Sequence, residues 1–472
     1  MLLKIESTID QEGLTIVEGA VAKGAVCLDG SPPAYQFAAG FGDGLHNWLV
    51  HIQGGGWCNS VQDCLTRTYN RYGSSKKMKS SDYNFTGILS NQRELNPNFY
   101  NWNRVAVRYC DGSSFTGDVE AVDPATNLHF RGARVFNAIV EDLLNKGMKF
   151  ASNALLSGAS AGGLASILQC DKFRKYFPAN TRVKCFSDAG YFAHVKDLSG
   201  GFKFEEYYNQ VVTLHGSLKN FYPECISKMK PSLCFYPQFV MPYIKTPIFL
   251  LQTTYDTFQI QNILATPLAD PRGLLSICKQ DINACSSDQI RRLQDYRAGF
   301  LRAFLNVRLG ASRGWFVNNC FTHGQSENQA KWLGTKLKHK TIAQAVGDWF
   351  YDRSAVRIAN LVTLQGEEQP FVKNVMTLKS CSPIVGVDVM SFDTEREVLL
   401  AWRDFVREID PDIIIGYNIC KFDLPYLIQV RVKDTTFSSR QYGTRESKEV
   451  TLEGRVQFDL LQDIYDKMLL NT

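Results

Sequence analysis

The chain has 472 residues, 44% hydrophobic and 21% charged, with 35 Gly, 16 Pro and a formal net charge of +5. Ordinary apolar content and small net charge exclude an intrinsically disordered chain, and average Gly and Pro usage excludes collagen-like or low-complexity sequence. No apolar run reaches the ~18 residues that a membrane-spanning helix needs, and at roughly 150 residues per domain the length allows two or three domains.

The start, Met1-Leu2-Leu3-Lys4-Ile5-Glu6, meets Asp10 and Glu12 before an apolar stretch of about 7–15 residues can form. No signal peptide is therefore expected in the chain as it stands. The cysteines point the other way. Eleven of thirteen precede residue 330, with Cys58/Cys64, Cys225/Cys234 and Cys278/Cys285 closely spaced, a pattern that suits short disulfide loops in an oxidising compartment. Without a CxxC pair a zinc site is the weaker reading. An odd count leaves one thiol free or short of a partner.

The first three quarters alternate short buried strands with helices. Trp48–Ile52 runs into Gly54-Gly55-Gly56, and Val105–Val107 precedes Cys110-Asp111-Gly112. A helix is predicted over Ala133–Leu144 with Gly147 as its stop, then a strand at Ala154–Leu156. Ile248–Leu251 reads as a buried parallel strand, and Ser286–Phe304 as a helix opened by a capping box of Ser286 and Gln289. This alternation predicts a parallel-sheet α/β domain. Near residue 354 cysteines thin out and charges thicken. A strand at Ile384–Val389, a helix opened by Thr394 and Glu397, and a strand at Ile413–Ile415 follow.

The strongest chemical signal is Gly158-Ala159-Ser160-Ala161-Gly162, after a strand and before an apolar helix. A sharp strand-to-helix turn lifts a serine hydroxyl clear of the sheet and needs small neighbours. A serine nucleophile needs a histidine base and an orienting carboxylate, in the order Ser, Asp, His for this fold class. Asp256 follows Ile248–Leu251, and His323 follows Trp315–Val317. Both sit where an open α/β sheet builds its site. The upstream Gly54-Gly55-Gly56-Trp57 loop lacks the Lys-Ser/Thr of a phosphate loop and fits an oxyanion loop instead. The expected donors are the N–H groups of Gly55, Gly56 and Ala161.

The run Gly24–Tyr35, the Gly-Gly-Gly-Trp-Cys loop, Asn101–Arg104, Tyr109–Asp118, Phe130–Arg134 and Ala345–Arg353 resemble plant pectin acetylesterases from about residue 14 to 354. Animal Notum-type lipid-ester deacylases are more distant kin. The resemblance implies an α/β-hydrolase-like fold and secretion to the cell wall. It also implies hydrolysis of pectin acetyl esters by Ser160, Asp256 and His323. Plant members usually carry Cys where this chain has Ala159 and Gly324, which implies one lost disulfide. The family's Cys-rich end after Arg353 is absent.

Ile358–Val362 through Ser382–Val387, Asp412–Leu427 and Thr436–Arg440 resemble the exonuclease domain of the eukaryotic DNA polymerase delta catalytic subunit, over about 355–462. Such a site needs carboxylates from three motifs to hold two metal ions. Asp423 fits one and is a lone remnant, so no nuclease activity is expected.

The reading is therefore a hydrolase domain over 1–354 and an incomplete RNase H-like exonuclease fragment over 355–472. The expected function is a serine carboxylesterase, monomeric, acting on acetylated pectin, with no cofactor, no metal and no nucleic-acid partner. The alternative is an inert joined gene model whose tail is a nucleic-acid-binding polymerase fragment. Asn84-Phe85-Thr86 is an N-glycosylation acceptor if the chain enters the secretory route.

Overall fold

The computed structural model describes residues 13–305, 313–337, 340–359, 374–379 and 388–409, and the backbone of strands 413–416, 432–439, 443–450 and 456–459. The N-terminal residues that bear on a leader lie outside this set. Contacts divide the chain into Met1–Asn360 and Leu361–Thr472.

The first unit is built on a nine-stranded sheet. Its strands are β1 (Leu14–Ile16), β2 (Ala34–Ala38), β3 (Asn47–Ile52), β4 (Asn103–Val107), β5 (Asn153–Ala159), β6 (Arg182–Asp188), β7 (Ile248–Asp256), β8 (Gly314–Thr322) and a final strand, Arg357–Ala359. The order is β1-β2-β4-β3-β5-β6-β7-β8 with Arg357–Ala359 outermost. β1 and β2 pair antiparallel, and everything from β4 onward is parallel. The predicted α/β class is the one observed.

β7 and β8 run further than the apolar cores Ile248–Leu251 and Trp315–Val317 suggested. β7 continues through Gln252, Thr253 and Thr254 to Asp256, all buried. Polar side chains are tolerated there because they are bonded: Thr254 Oγ1 donates to Asn319 Oδ1 at 2.9 Å and Thr253 Oγ1 to the Cys320 carbonyl. The helices fall close to prediction, at Gly132–Asn145 and Ser287–Leu305. The second begins with reciprocal Ser286–Gln289 bonds of 2.8 and 3.3 Å. Leu49, Leu155, Phe186, Phe249 and Phe316 from the sheet pack with Trp102, Trp332, Trp349 and Phe350 as one core.

Five disulfides staple this unit: Cys27–Cys110, Cys58–Cys64, Cys170–Cys185, Cys225–Cys234 and Cys278–Cys285. Cys320 is the thiol left over among the described residues. No helix of the described residues is long and apolar enough to cross a membrane.

The second unit contains the helix Glu395–Ile409, opened by mutual bonds of Thr394 and Glu397. Its described strands form three two-stranded pairs: Asn374–Leu378 with Asp388–Phe392, Ile413–Gly416 with Val456–Asp459, and Val432–Ser439 with Gly443–Val450. Of the strand predicted over 384–389, only Asp388 and Val389 fall among the described residues. Asp423 lies outside them.

Candidate active site

β5 occupies the middle of the sheet, between β3 and β6. Its chain turns at once into the helix Ala161–Leu168, with Ser160 at φ 57°, ψ −127°. L-residues avoid that region, so the surroundings must hold the turn in place. A Cβ on Gly158 would lie 2.2 Å from the Gly162 carbonyl oxygen, and one on Gly162 would lie 2.1 Å from that of Ile52. Both glycines of the Gly-x-Ser-x-Gly motif are thus sterically required.

Sheet register brings the partners to this turn. Asp256, the last residue of β7, pairs with Thr322 of β8, and His323 follows directly. His323 Nε2 lies 2.7 Å from Ser160 Oγ, and Nδ1 lies 2.9 and 3.0 Å from the two Asp256 oxygens. Asp256 is fully buried. Its Oδ1 also accepts the Gln259 N–H at 3.0 Å, and its Oδ2 a 3.3 Å bond from Gln252 Nε2, so its position is fixed before it meets the imidazole. Burial alone would favour the neutral ring. The Asp256 carboxylate, by charge and hydrogen bond, together with the charges of Asp188 and Glu327 outweighs it, so the His323 pKa stands above its ordinary value of 6.5. Phe258 stacks on the imidazole with centroids 5.3 Å apart.

The glycine loop lies against the same serine. A Cβ on Gly54 would come within 2.8 Å of both the Ala159 carbonyl and Ser160 Cβ. A Cβ on Gly55 would meet the Tyr109 ring at 2.4 Å, and Gly56 has φ 65°. The loop's carbonyls are held from behind. Arg67 donates to Gly55 O at 2.8 Å and Trp57 O at 3.0 Å, and Tyr109 Oη donates to Gly56 O at 2.7 Å. The Trp57 indole donates to Ser114 Oγ at 2.7 Å, which donates to the Ala161 carbonyl at 2.8 Å. Among the described residues the N–H groups of Gly55, Gly56 and Ala161 donate to no protein acceptor.

Ser160, His323 and Gly54–Gly56 line a cavity of about 980 Å³. Its lining includes the apolar and aromatic side chains of Trp57, Phe204, Tyr207, Phe258 and Leu268 and the polar ones of Arg67, Arg71, Asp82, Tyr83 and Glu327. Ala159 and Gly324 line it too, with Gly324 at φ 74°. Glu327 accepts from Tyr83 Oη and stands 3.0 Å from His51 Nε2, while His51 Nδ1 stands 2.7 Å from Ser157 Oγ. Asn84 is exposed on the neighbouring segment, where Thr86 Oγ1 donates to the Glu327 carbonyl.

A nucleophile elbow, a buried Asp–His pair and a braced glycine loop at one cavity are the parts of a serine ester hydrolase. The family model described as Pectinacetylesterase matches residues 6–367. The chain belongs to the pectin acetylesterase family. It is a carboxylic ester hydrolase. Pectin acetylesterase 7 of Arabidopsis thaliana is 52% identical over 345 residues, covering 72% of this chain and 88% of that protein, and pectin acetylesterase 11 is 49% identical over 344. The Wnt deacylase Notum from Drosophila shares the fold, with a TM-score of 0.61 at 21% identity over 74% of this chain and 96% of that one.

The model of the DNA polymerase family B exonuclease domain matches residues 350–472. The DNA polymerase delta catalytic subunit of Glycine max is 74% identical over 127 residues, 23% of this chain but 12% of that protein. The chain therefore joins a pectin acetylesterase domain to a polymerase delta exonuclease fragment, and the two matches overlap across the strand Arg357–Ala359.

Sequence reasoning missed the supports: Arg67, Tyr109, Ser114, Asp188 and Glu327. Asp188 carried the same signal as Asp256, an aspartate closing an apolar strand. Arg67 carried none, since an arginine on a short helix reads as surface.

Proposed function

We propose that this chain releases acetate from acetylated pectin at Ser160. Ser160 Oγ attacks the acetyl carbonyl while His323 Nε2 takes its proton, and Asp256 holds the ring with Nδ1–H donating. The tetrahedral oxyanion is received by the N–H groups of Gly55, Gly56 and Ala161. His323 then returns the proton to the departing sugar oxygen. Water, deprotonated by the same imidazole, hydrolyses the acetyl-serine and frees acetate. The residues require no metal or cofactor for these steps.

The observation that carries this reading is the 2.7 Å Ser160–His323 contact continued at 2.9 Å to buried Asp256, in a member of this family. The cavity's size supports a saccharide rather than a bare acetyl group. Its aromatic side chains suit sugar faces, and Arg67, Arg71 and Lys203 suit a polyanion. Five disulfides support a secreted, cell-wall enzyme. The test compares acetate release from acetylated homogalacturonan by wild type and Ser160→Ala. A loss on the order of 10³-fold or more is expected; equal rates would end the reading.

A further inference from the structure

Asp188 closes β6, next to the nucleophile strand, and in register it faces Ala159. Its main chain and its side chain do different jobs. The Asp188 carbonyl accepts the Ser160 N–H at 2.9 Å. Its Oδ2 accepts three bonds from the loop just after the histidine: Gln325 N–H at 2.7 Å, Ser326 N–H at 2.6 Å and Ser326 Oγ at 2.7 Å. One residue therefore grips the nucleophile's turn with its backbone and the base's loop with its side chain.

The second carboxylate oxygen is the anomaly. Asp188 is completely buried, and Oδ1 has no hydrogen-bond partner. A half-satisfied buried carboxylate is expensive, and a packing role alone would be filled better by a neutral side chain. Burial raises the Asp188 pKa above the ordinary carboxylate value, and the three donors converging on one oxygen oppose that rise by favouring the anion. Its charge acts on His323, together with Asp256 and Glu327.

We propose that Asp188 is a positioning residue for the esterase reaction, locking the His323 loop to the Ser160 turn and supplying a second buried negative charge that acts on the imidazole. This rests on the Ser160–His323 reading above. Asp256 orients the ring through Nδ1. Asp188 instead fixes the loop that carries the ring and stabilises the imidazolium formed when Ser160 is deprotonated. Substrate does not touch it.

The test is the pH profile of kcat/KM for Asp188→Asn, with acetate release as readout. Asn keeps the shape and can still accept from the loop, but carries no charge. Loss of a negative charge lowers the His323 pKa, so the acid limb should move down by about one pH unit, with kcat reduced roughly tenfold. A merely structural residue would lower activity without moving the limb, and that result would overturn the proposal. Ser326→Ala removes one tether and leaves the charge, so kcat should fall severalfold with the limb in place. It also serves if Asp188→Asn fails to fold: an unchanged kcat in Ser326→Ala would then count against the proposal. Ser160→Ala run alongside separates the two readings. If it stays active the triad reading fails, whereas an inactive Ser160→Ala beside an unaltered Asp188→Asn defeats only Asp188.

Discussion

The two units differ in how far their described strands join into one sheet. In Met1–Asn360 the side chains of Ser160, Asp256 and His323 meet within hydrogen-bond distance, each set at or just past the end of a strand of one continuous sheet. In Leu361–Thr472 the described strands pair only two by two. Asp423, read from the sequence as a lone remnant of a metal site, lies outside the described residues. A hydrolase site is built from neighbouring strand ends, whereas a two-metal site needs carboxylates from motifs far apart.

The comparison is sharpest in its largest expected effect. Asp256→Asn keeps the shape of the orienting group but lets the imidazole adopt the wrong tautomer, so kcat should fall by on the order of 10³–10⁴-fold with the melting temperature little changed. Asp423→Asn should leave acetate release untouched. Neither the wild type nor this variant should degrade single-stranded DNA with Mg²⁺ or Mn²⁺. Metal-dependent degradation that Asp423→Asn abolishes would show that the tail keeps more than its sequence suggests.

The seam itself gives the next effect. Arg357–Ala359 pairs parallel with Trp315–Val317 of β8. Val356 and Ile358 join the main hydrophobic core, and Arg357 lies over the Trp315 ring at 5.2 Å. These residues lie where the two family matches overlap, yet they complete the hydrolase sheet. A chain ended after Arg353 loses two buried aliphatic side chains, each contributing about 1.5–3 kcal/mol, and uncovers the β8 edge. Thermal denaturation should show several degrees of destabilisation and more aggregation. A chain ended after Asn360 should melt and turn over like the full chain; equal stability of both truncations would mean the strand contributes nothing.

Much of this was legible in the sequence, for a physical reason. The elbow motif is local: its glycines answer to clashes within a few residues, so Ser160 announces itself. The capping boxes at Ser286 and Thr394 are local too, and both helices start where those residues predicted. Chain order and the strand-then-loop setting single out Asp256 and His323, which the sheet brings together beside Ser160, although bonded threonines extend β7 past its apolar run. What stayed hidden is long-range. Arg67 braces carbonyls 10 and 12 residues earlier in the chain, and Asp188 holds groups 137 and 138 residues later. No spacing rule connects such positions.

Arg67 tests that hidden layer with a smaller effect. Its guanidinium bonds the Gly55 and Trp57 carbonyls, and a planar peptide whose carbonyl points at Arg67 turns the next N–H the opposite way. Arg67→Met should loosen the loop's donors and lower kcat about tenfold, less than loss of a full oxyanion donor. Arg67→Lys can reach one carbonyl but not fork to two, so it should recover only part of the rate.

The smallest effect is a shift along the pH axis. His323 has its pKa raised above 6.5, chiefly by Asp256 acting against burial, and only the neutral ring can accept the Ser160 proton. Activity should therefore fall as pH drops through that raised value and be complete above it. Glu327 contributes less than Asp256 to this elevation and lies on the cavity wall, held by His51 and Tyr83. Glu327→Gln should displace the acid limb of kcat/KM downward by a fraction of a unit, in the same direction as Asp188→Asn and by less. A limb that moved upward would mean that the carboxylates around His323 do not act on it by charge.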